Sequence, residues 1–334
     1  MKYQKLGRSG MSVSRICLGT ANFGTGASKG LGDWGIVGEK EAFSIMDFAL
    51  DQGINFFDTA NVYGGLEHRG LTETILGRWF HQGGNRREKV VLATKVGRVF
   101  EQSDLDGPNN VEGLSLYKIR RHVEASLRRL QTDHVELIQM HKPDPSVTWD
   151  EIWEAFECLI HSGKADYVGS SNHDAWQIMK AQECARNRHF MGLVSEQHLY
   201  TPMSRMAENE LLPMATDQGI GITVYSPLFR GFLGVDAKHP DARAMSAECK
   251  MLFERWHDRA VRFSALCRRL GETEACVTLA WELAHPQITS VIVAPTCIQD
   301  LKELLRAVDI CLDSETMAEM DTIFPPSQDP SPYT

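Results

Sequence analysis

Eight short apolar runs, each followed by a segment with helical spacing, constrain what this chain can fold into. The runs are Ile16–Gly19, Asn55–Thr59, Val90–Lys95, His134–His141, Tyr167–Ser171, Leu193–Gln197, Gly221–Pro227 and Ser290–Pro295. Buried parallel strands read as continuous apolar stretches, and Val90-Val91-Leu92-Ala93 and Ser290-Val291-Ile292-Val293 have that character. Between the runs lie amphipathic segments such as Lys40–Gln52, Lys118–Leu130, Trp149–Ser162 and Glu274–Ala284. In Lys118–Leu130, residues Ile119, Val123, Leu127 and Leu130 recur at spacings of three and four and mark one buried stripe. Strand–helix alternation with right-handed crossovers predicts an α/β fold, a closed (β/α)8 TIM barrel. An open, doubly wound sheet competes with it. That fold normally carries G-x-G-x-x-G after its first strand, whereas this one ends Leu18-Gly19-Thr20-Ala21-Asn22-Phe23-Gly24.

The 334 residues suffice for one such barrel, so residues 1–334 are expected to form a single domain. Gly7-Arg8-Ser9-Gly10 is a turn signal within residues 2–15 and predicts an N-terminal β-hairpin capping the barrel bottom. Residues 229–260 have no clear period and suggest a long loop after strand seven, while 325–334 reads as a loose tail. Hydrophobic residues at 43 % and charged ones at 24 % match a soluble globular protein. A net charge of −9, with no long basic run, argues against nucleic acid. The eight cysteines form no C-x-x-C pair and are expected to be reduced and mostly buried. Neither a signal peptide nor a membrane span is evident, so a cytoplasmic location is expected.

In a barrel, side chains at the C-terminal strand ends converge on the active site. Those positions here are Asp58 with Tyr63 nearby, Lys95, His141, Ser171-Asn172, Gln197 and Tyr225-Ser226. Taken singly, Asp58 could cap a helix, Lys95 could reach solvent, His141 could be a satisfied core histidine, and Tyr63 could simply pack. Taken together at consecutive strand ends, they are not explained by packing. Their chemistry is coherent. A phenol is a poor acid at neutral pH, an adjacent ammonium favours its anion, and a carboxylate holds that ammonium in place. A histidine nearby can bind a substrate oxygen, and hydride must come from a cofactor.

These residues in this order resemble the aldo-keto reductase superfamily. The likeness lies in Gly53-Ile54-Asn55-Phe56-Phe57-Asp58-Thr59-Ala60-Asn61-Val62-Tyr63-Gly64, Leu92-Ala93-Thr94-Lys95-Val96, Leu137-Ile138-Gln139-Met140-His141-Lys142-Pro143-Asp144 and Val168-Gly169-Ser170-Ser171-Asn172. The resemblance implies a catalytic tetrad of Asp58, Tyr63, Lys95 and His141. It implies that Ser171, Asn172 and Gln197 hold the nicotinamide amide, that Tyr225 stacks on the ring, and that Ser226, Pro227, Leu228, Arg230 and Gly231 cover the pyrophosphate. Gly19, Thr20, Ala21, Ala294, Thr296, Asp300, Glu303 and Leu304 would complete the cofactor contacts, with Asp58 beside them. Apart from the resemblance, the aromatic residues Phe23, Trp34, Phe229 and Phe232 either line the substrate mouth, along with Tyr63 and His141, or merely pack loops.

Within the superfamily, Asn55–Gly64, Lys89–Lys95, Trp149–Trp153 and Leu193–Gln197 resemble the nucleotide-hexose 2,3-enoyl reductases of bacterial deoxysugar pathways. The implied substrate is a small aldehyde, ketone or keto-sugar, and the implied cofactor NADP(H) or NAD(H). Positions that are often Lys, Ser and Arg in the family read Ala294, Pro295 and Asp300, which leans toward NAD(H), since a carboxylate repels a 2′-phosphate. The alternative places Asp300 at a helix start, with Thr296 and Lys302 serving a phosphate. Two rival functions remain: a cofactor-sensing subunit resembling potassium-channel β subunits, and a metal-dependent hydrolase, for which only His141 and Asp58 qualify as ligands.

Overall fold

A computed structural model describes residues 1–26, 35–64, 68–98, 105–108, 110–238 and 246–326. Strands β1 (Tyr3–Lys5) and β2 (Ser12–Ser14) pair antiparallel as the expected hairpin. The barrel strands are β3 (Ile16–Gly19), β4 (Phe56–Asp58), β5 (Val91–Val96), β6 (Val135–Met140), β7 (Ala165–Ser171), β8 (Leu193–Leu199), β9 (Gly221–Tyr225) and β10 (Ile288–Val293). They close in the order β10-β3-β4-β5-β6-β7-β8-β9, with every neighbouring pair parallel. Six helices follow β3 to β8 in turn: α1 (Glu39–Asp51), α2 (Leu71–His81), α3 (Leu116–Leu130), α4 (Trp149–His161), α5 (Ala175–Asn187) and α6 (Leu211–Gln218). After β9 come α7 (Ala247–Arg255), α8 (His257–Leu270) and α9 (Glu274–Ala284), and after β10 come α10 (Ile298–Leu305) and α11 (Ser314–Ile323). The loop expected over 229–260 is therefore shorter. Helix α7 begins at Ala247, after the Ser246 hydroxyl accepts a hydrogen bond from the Cys249 amide.

Two apolar cores result from the two faces of the sheet. The outer one fills the space between barrel and helices, and the α3 stripe of Ile119, Val123, Leu127 and Leu130 belongs to it. The inner one, in the lumen, contains Leu6, Cys17, Phe56, Ala93 and Leu137. Side chains on a strand alternate faces, so two residues further along come Gly19, Asp58, Lys95 and Gln139. The lumen thus changes from an apolar floor to a polar layer within one step of the strand period.

The hairpin closes the bottom. Leu6 and Val13 enter the inner core, and the Arg8 amide donates to the Gly219 carbonyl at 2.7 Å. Gly7 has φ +55°, and a Cβ there would lie 2.3 Å from the Val194 carbonyl oxygen, so this close approach needs glycine. All eight cysteines are free, but only Cys17, Cys249, Cys267 and Cys276 are buried; the others lie partly or fully at the surface. Among the described residues, no helix is long and apolar enough to cross a membrane.

Candidate active site

A cavity of about 700 Å³ opens where the barrel strands end. Asp58 is the last residue of β4, Lys95 lies near the end of β5, and His141 follows β6; Tyr63 sits in the turn after β4. Lys95 is fully buried beneath the cavity floor and uses its ammonium on three oxygens. These are Asp58 Oδ1 at 2.5 Å, the Thr59 carbonyl at 2.8 Å and Tyr63 Oη at 3.2 Å. Tyr63 accepts from Lys95, so its own O–H is not spent on that contact. The imidazole of His141 meets the Tyr63 ring edge-on, with centroids 5.9 Å apart. The second Asp58 oxygen receives the Gln139 amide at 3.0 Å and the Gln197 amide at 2.9 Å.

Burial and charge set the protonation states. Burial pushes the Tyr63 phenol above its ordinary value, and the adjacent Lys95 charge only partly pulls it back. The sequence led us to expect a lowered value; desolvation in the closed floor wins instead. Burial alone would lower the Lys95 pKa, but Asp58 and Tyr63 outweigh it and hold the ammonium charged. His141 is driven well below its usual range, first by burial and then by the charges of Lys95, Arg98 and Lys142. It is a neutral imidazole at pH 7.

The wall from β7 round to β3 is of a different kind. Ser171 Oγ donates to the Gln197 carbonyl at 2.9 Å, and Asn172 Nδ2 donates to Ser171 Oγ at 2.8 Å and the His141 carbonyl at 3.1 Å. Tyr225 Oη donates to Asn172 Oδ1 at 2.8 Å, fixing the amide's orientation. Asn172, Ser226, Phe229 and Arg230 all have positive φ, as does Gly231. Such backbone strain collects where a loop is shaped for a ligand. The amides of Leu228, Arg230 and Gly231 meet no acceptor among the described residues, so they are available to an anion. A Cβ on Gly19 would lie 2.6 Å from Ile292 Cγ2, which leaves the cavity clear at that point. His141 Nδ1 is buried without a hydrogen-bond partner among the described residues. Paired amides, open backbone N–H groups and this orphaned nitrogen fit a nicotinamide dinucleotide lying across β7 to β10.

Gly19, Thr20, Ala21, Pro227, Ala294 and Leu304 also line the cavity, alongside Ser171, Asn172, Gln197, Tyr225, Ser226 and Arg230. Arg230 lies on its rim, 3.3 Å from Glu248 Oε2. Several expected contacts lie elsewhere. Phe23 is fully buried in the outer core, and Phe229 packs against that core, so neither lines the mouth. Trp34 falls outside the described residues. Thr296, Asp300 and Glu303 are not in the cavity wall. The Asp300 carboxylate instead accepts from the Thr296 amide at 3.0 Å and hydroxyl at 2.6 Å, within the first turn of α10. An argument for NAD(H) from Asp300 loses its footing here, because that carboxylate serves the helix start.

Sequence reasoning missed Gln139, Arg98, Lys142, Asn22 and Ser246. Gln139 was within reach, since the strand period puts it on the same face as His141. Arg98 and Lys142 lie past strand ends, where loop geometry decides direction. A larger groove of about 920 Å³ outside the barrel is lined by ions that pair with each other, such as Arg87 with Glu136 at 2.9 Å and Lys164 with Glu124 at 2.9 Å. Among the described residues, no group of three or more His, Cys, Asp or Glu could hold a metal ion.

The model of the aldo/keto reductase family matches residues 15–324. The chain belongs to the aldo/keto reductase family. It is 52 % identical over 325 residues to the uncharacterized oxidoreductase YrpG of Bacillus subtilis (strain 168), covering 97 % of this chain and 96 % of that one. It is 33 % identical to a probable voltage-gated potassium channel subunit beta of Arabidopsis thaliana, over 93 % of this chain and 92 % of the relative. With the versiconal hemiacetal acetate reductase of Aspergillus parasiticus it shares 27 % identity over 98 % of each chain. As an aldo/keto reductase this protein is an enzyme, an NAD(P)-dependent carbonyl reductase.

Proposed function

We propose that this aldo/keto reductase interconverts an aldehyde, ketone or keto-sugar with its alcohol, using Tyr63 as general acid and base. The observation that carries the reading is the Lys95 ammonium bonded to both Asp58 and Tyr63 beneath the cavity floor. A bound nicotinamide supplies or accepts the hydride. Tyr63 stays protonated at neutral pH because burial disfavours its anion. In reduction it gives that proton to the substrate oxygen, and Lys95 stabilises the phenolate left behind. Asp58 keeps Lys95 charged and aimed, while Gln139 and Gln197 hold Asp58. Neutral His141 binds the carbonyl oxygen and orients it toward Tyr63.

Ser171, Asn172, Gln197 and Tyr225 would hold the carboxamide and ring, with the loop from Ser226 to Gly231 over the pyrophosphate. Ala294 and Pro295 offer no charge for a 2′-phosphate, which favours NAD(H), but Asp300 adds nothing to that preference. The keto-sugar option rests on the resemblance of Asn55–Gly64 and Leu193–Gln197 to deoxysugar reductases. A second reading, a cofactor-holding subunit with little turnover, is favoured by the names of the Arabidopsis thaliana relative and its rice counterpart. Following nicotinamide absorbance with a panel of aldehydes, ketones and sugars separates the two. Steady turnover supports the reductase; tight cofactor binding without turnover on any carbonyl supports the subunit.

A further inference from the structure

Glu112 lies between β5 and α3, and it is almost fully buried. One carboxylate oxygen, Oε1, accepts three hydrogen bonds: from the Gly97 amide at 2.7 Å, the Arg98 amide at 3.1 Å and the Asn61 side chain at 2.9 Å. Gly97 stands two residues after Lys95, and Asn61 two residues before Tyr63. A single atom therefore joins the two backbone segments that carry the ammonium and the phenol. The main chain supports the same junction, for the Asn61 amide donates to the Lys95 carbonyl at 3.1 Å.

The other proton on the Asn61 side-chain amide is directed as well. His122, buried in α3, faces Asn61 Nδ2 with its Nδ1 at 3.0 Å and the Asp106 carboxylate with its Nε2 at 3.0 Å. A carboxylate accepts, which puts the imidazole proton on Nε2 and leaves Nδ1 to accept from Asn61. Both donors of the Asn61 side chain are thus used, while Asn61 Oδ1 and Asp106 Oδ1 are buried with no partner among the described residues. Stability alone does not favour this arrangement. Apolar side chains of similar volume would fill the space without stranding two oxygens. The cluster holds an orientation, and what it orients is the turn leading to Tyr63.

We propose that Glu112 and Asn61 are positioning residues of the reductase, joining the Tyr63 turn to the end of β5 and so setting the contact between phenol and ammonium. Neither lines the cavity. They act through the 3.2 Å contact of Lys95 Nζ with Tyr63 Oη, which is at the long end of hydrogen-bond range and weakens with any further separation. Reaction rates are steep in such geometry: a misplacement of about 1 Å can cost roughly 10²-fold. This inference rests on the reductase reading and adds to it the residues that hold its acid in place.

Benzaldehyde, acetophenone, glyceraldehyde and glucose serve as test carbonyls, with the corresponding alcohols for the reverse direction. Asn61→Ala removes the cross-link, alters no charge and leaves the Gly97 and Arg98 amides paired, so it is the mildest variant. It should lower kcat for reduction by about tenfold, with KM and nicotinamide cofactor affinity within about twofold. With Lys95 less closely held, Tyr63 ionises less readily. The rising limb of kcat with pH in alcohol oxidation, which belongs to the Tyr63–Lys95 pair, should therefore move up by about half a unit or more. Asp58, Lys95, Arg98, His141 and Tyr225 act on Tyr63 and are all retained, so this movement reports geometry. Glu112→Ala should show at least the same loss, and Glu112→Gln, whose amide oxygen can still accept, should recover most of it. Asn61→Ala with parental kcat, or with a lower kcat and an unmoved limb, overturns the inference, as does a loss confined to KM or to cofactor affinity. Glu112→Gln no better than Glu112→Ala overturns it too, since the charge would then matter and not the join. A parent enzyme that reduces none of the four carbonyls overturns the reductase reading itself, and this inference with it.

Discussion

Replacing Lys95 with methionine keeps the volume of the side chain but removes the cation at the centre of the floor. Asp58 then loses its 2.5 Å partner at a place where only 3 % of its side chain reaches solvent. Removing one member of a buried ion pair costs roughly 3–5 kcal/mol, because the remaining charge is stranded. The Gln139 and Gln197 amides still reach the other Asp58 oxygen, so the lower end, about 3 kcal/mol, is expected. Against a typical total of roughly 5–15 kcal/mol that is a large fraction. The double variant Asp58→Asn with Lys95→Met strands no charge and should lose only about 1–2 kcal/mol in hydrogen bonds. It should be more stable than Lys95→Met alone. Urea unfolding followed by tryptophan fluorescence, comparing midpoints and slopes, reads both effects. Reductase turnover should vanish in both variants, which separates stability from chemistry. The reasoning fails if Lys95→Met unfolds within about 1 kcal/mol of the parent, or if the double variant is as unstable as the two single losses added together.

Three further outcomes are expected. Tyr63→Phe should lower carbonyl reduction by about 10²–10⁴-fold, the usual contribution of a positioned acid, while cofactor affinity measured by fluorescence quenching stays within about twofold; turnover near the parent level would remove Tyr63 from the proton-donor role. His141 is neutral in the fold, so the unfolded chain takes up its proton first as pH falls below about 6.5, and stability is lost by about 1.4 kcal/mol per pH unit from this group. His141→Gln should remove that part of the slope, whereas the slopes from His173 and His285, also held low by burial, should persist; an unchanged slope would mean that His141 is charged in the native protein. Asp300→Ala should cost about 1 kcal/mol through the lost contact at the start of α10; a large swing in NADPH against NADH preference would show instead that this carboxylate reaches the dinucleotide.

Much of the architecture could be read locally. Continuous apolar runs and helical stripes located β3 and α9 to the residue and the other barrel strands to within two. Those signals are short-range, because a strand's period and a helix's stripe are set by neighbours along the chain. Asp58, Lys95, His141 and Gln197 were accessible for the same reason, since a barrel sends its strand ends to one place. Residues past those ends were harder. Phe23 looked like a mouth residue and is core; Asp300 looked like a cofactor contact and closes a helix turn. Neither outcome is written in nearby sequence, because each depends on a partner that only folding supplies.

By itself, the order of residues determined the barrel, its bottom hairpin and the set of polar groups brought to its open end. Tertiary structure alone decided how those groups behave. Closing the barrel removes water from the floor, so the Tyr63 phenol is held protonated even with Lys95 beside it, and His141 is held neutral. It also brings Gln139 to Asp58 and turns Arg98 and Lys142 to one cavity. Desolvation and charge act through space, on groups the chain keeps dozens of residues apart.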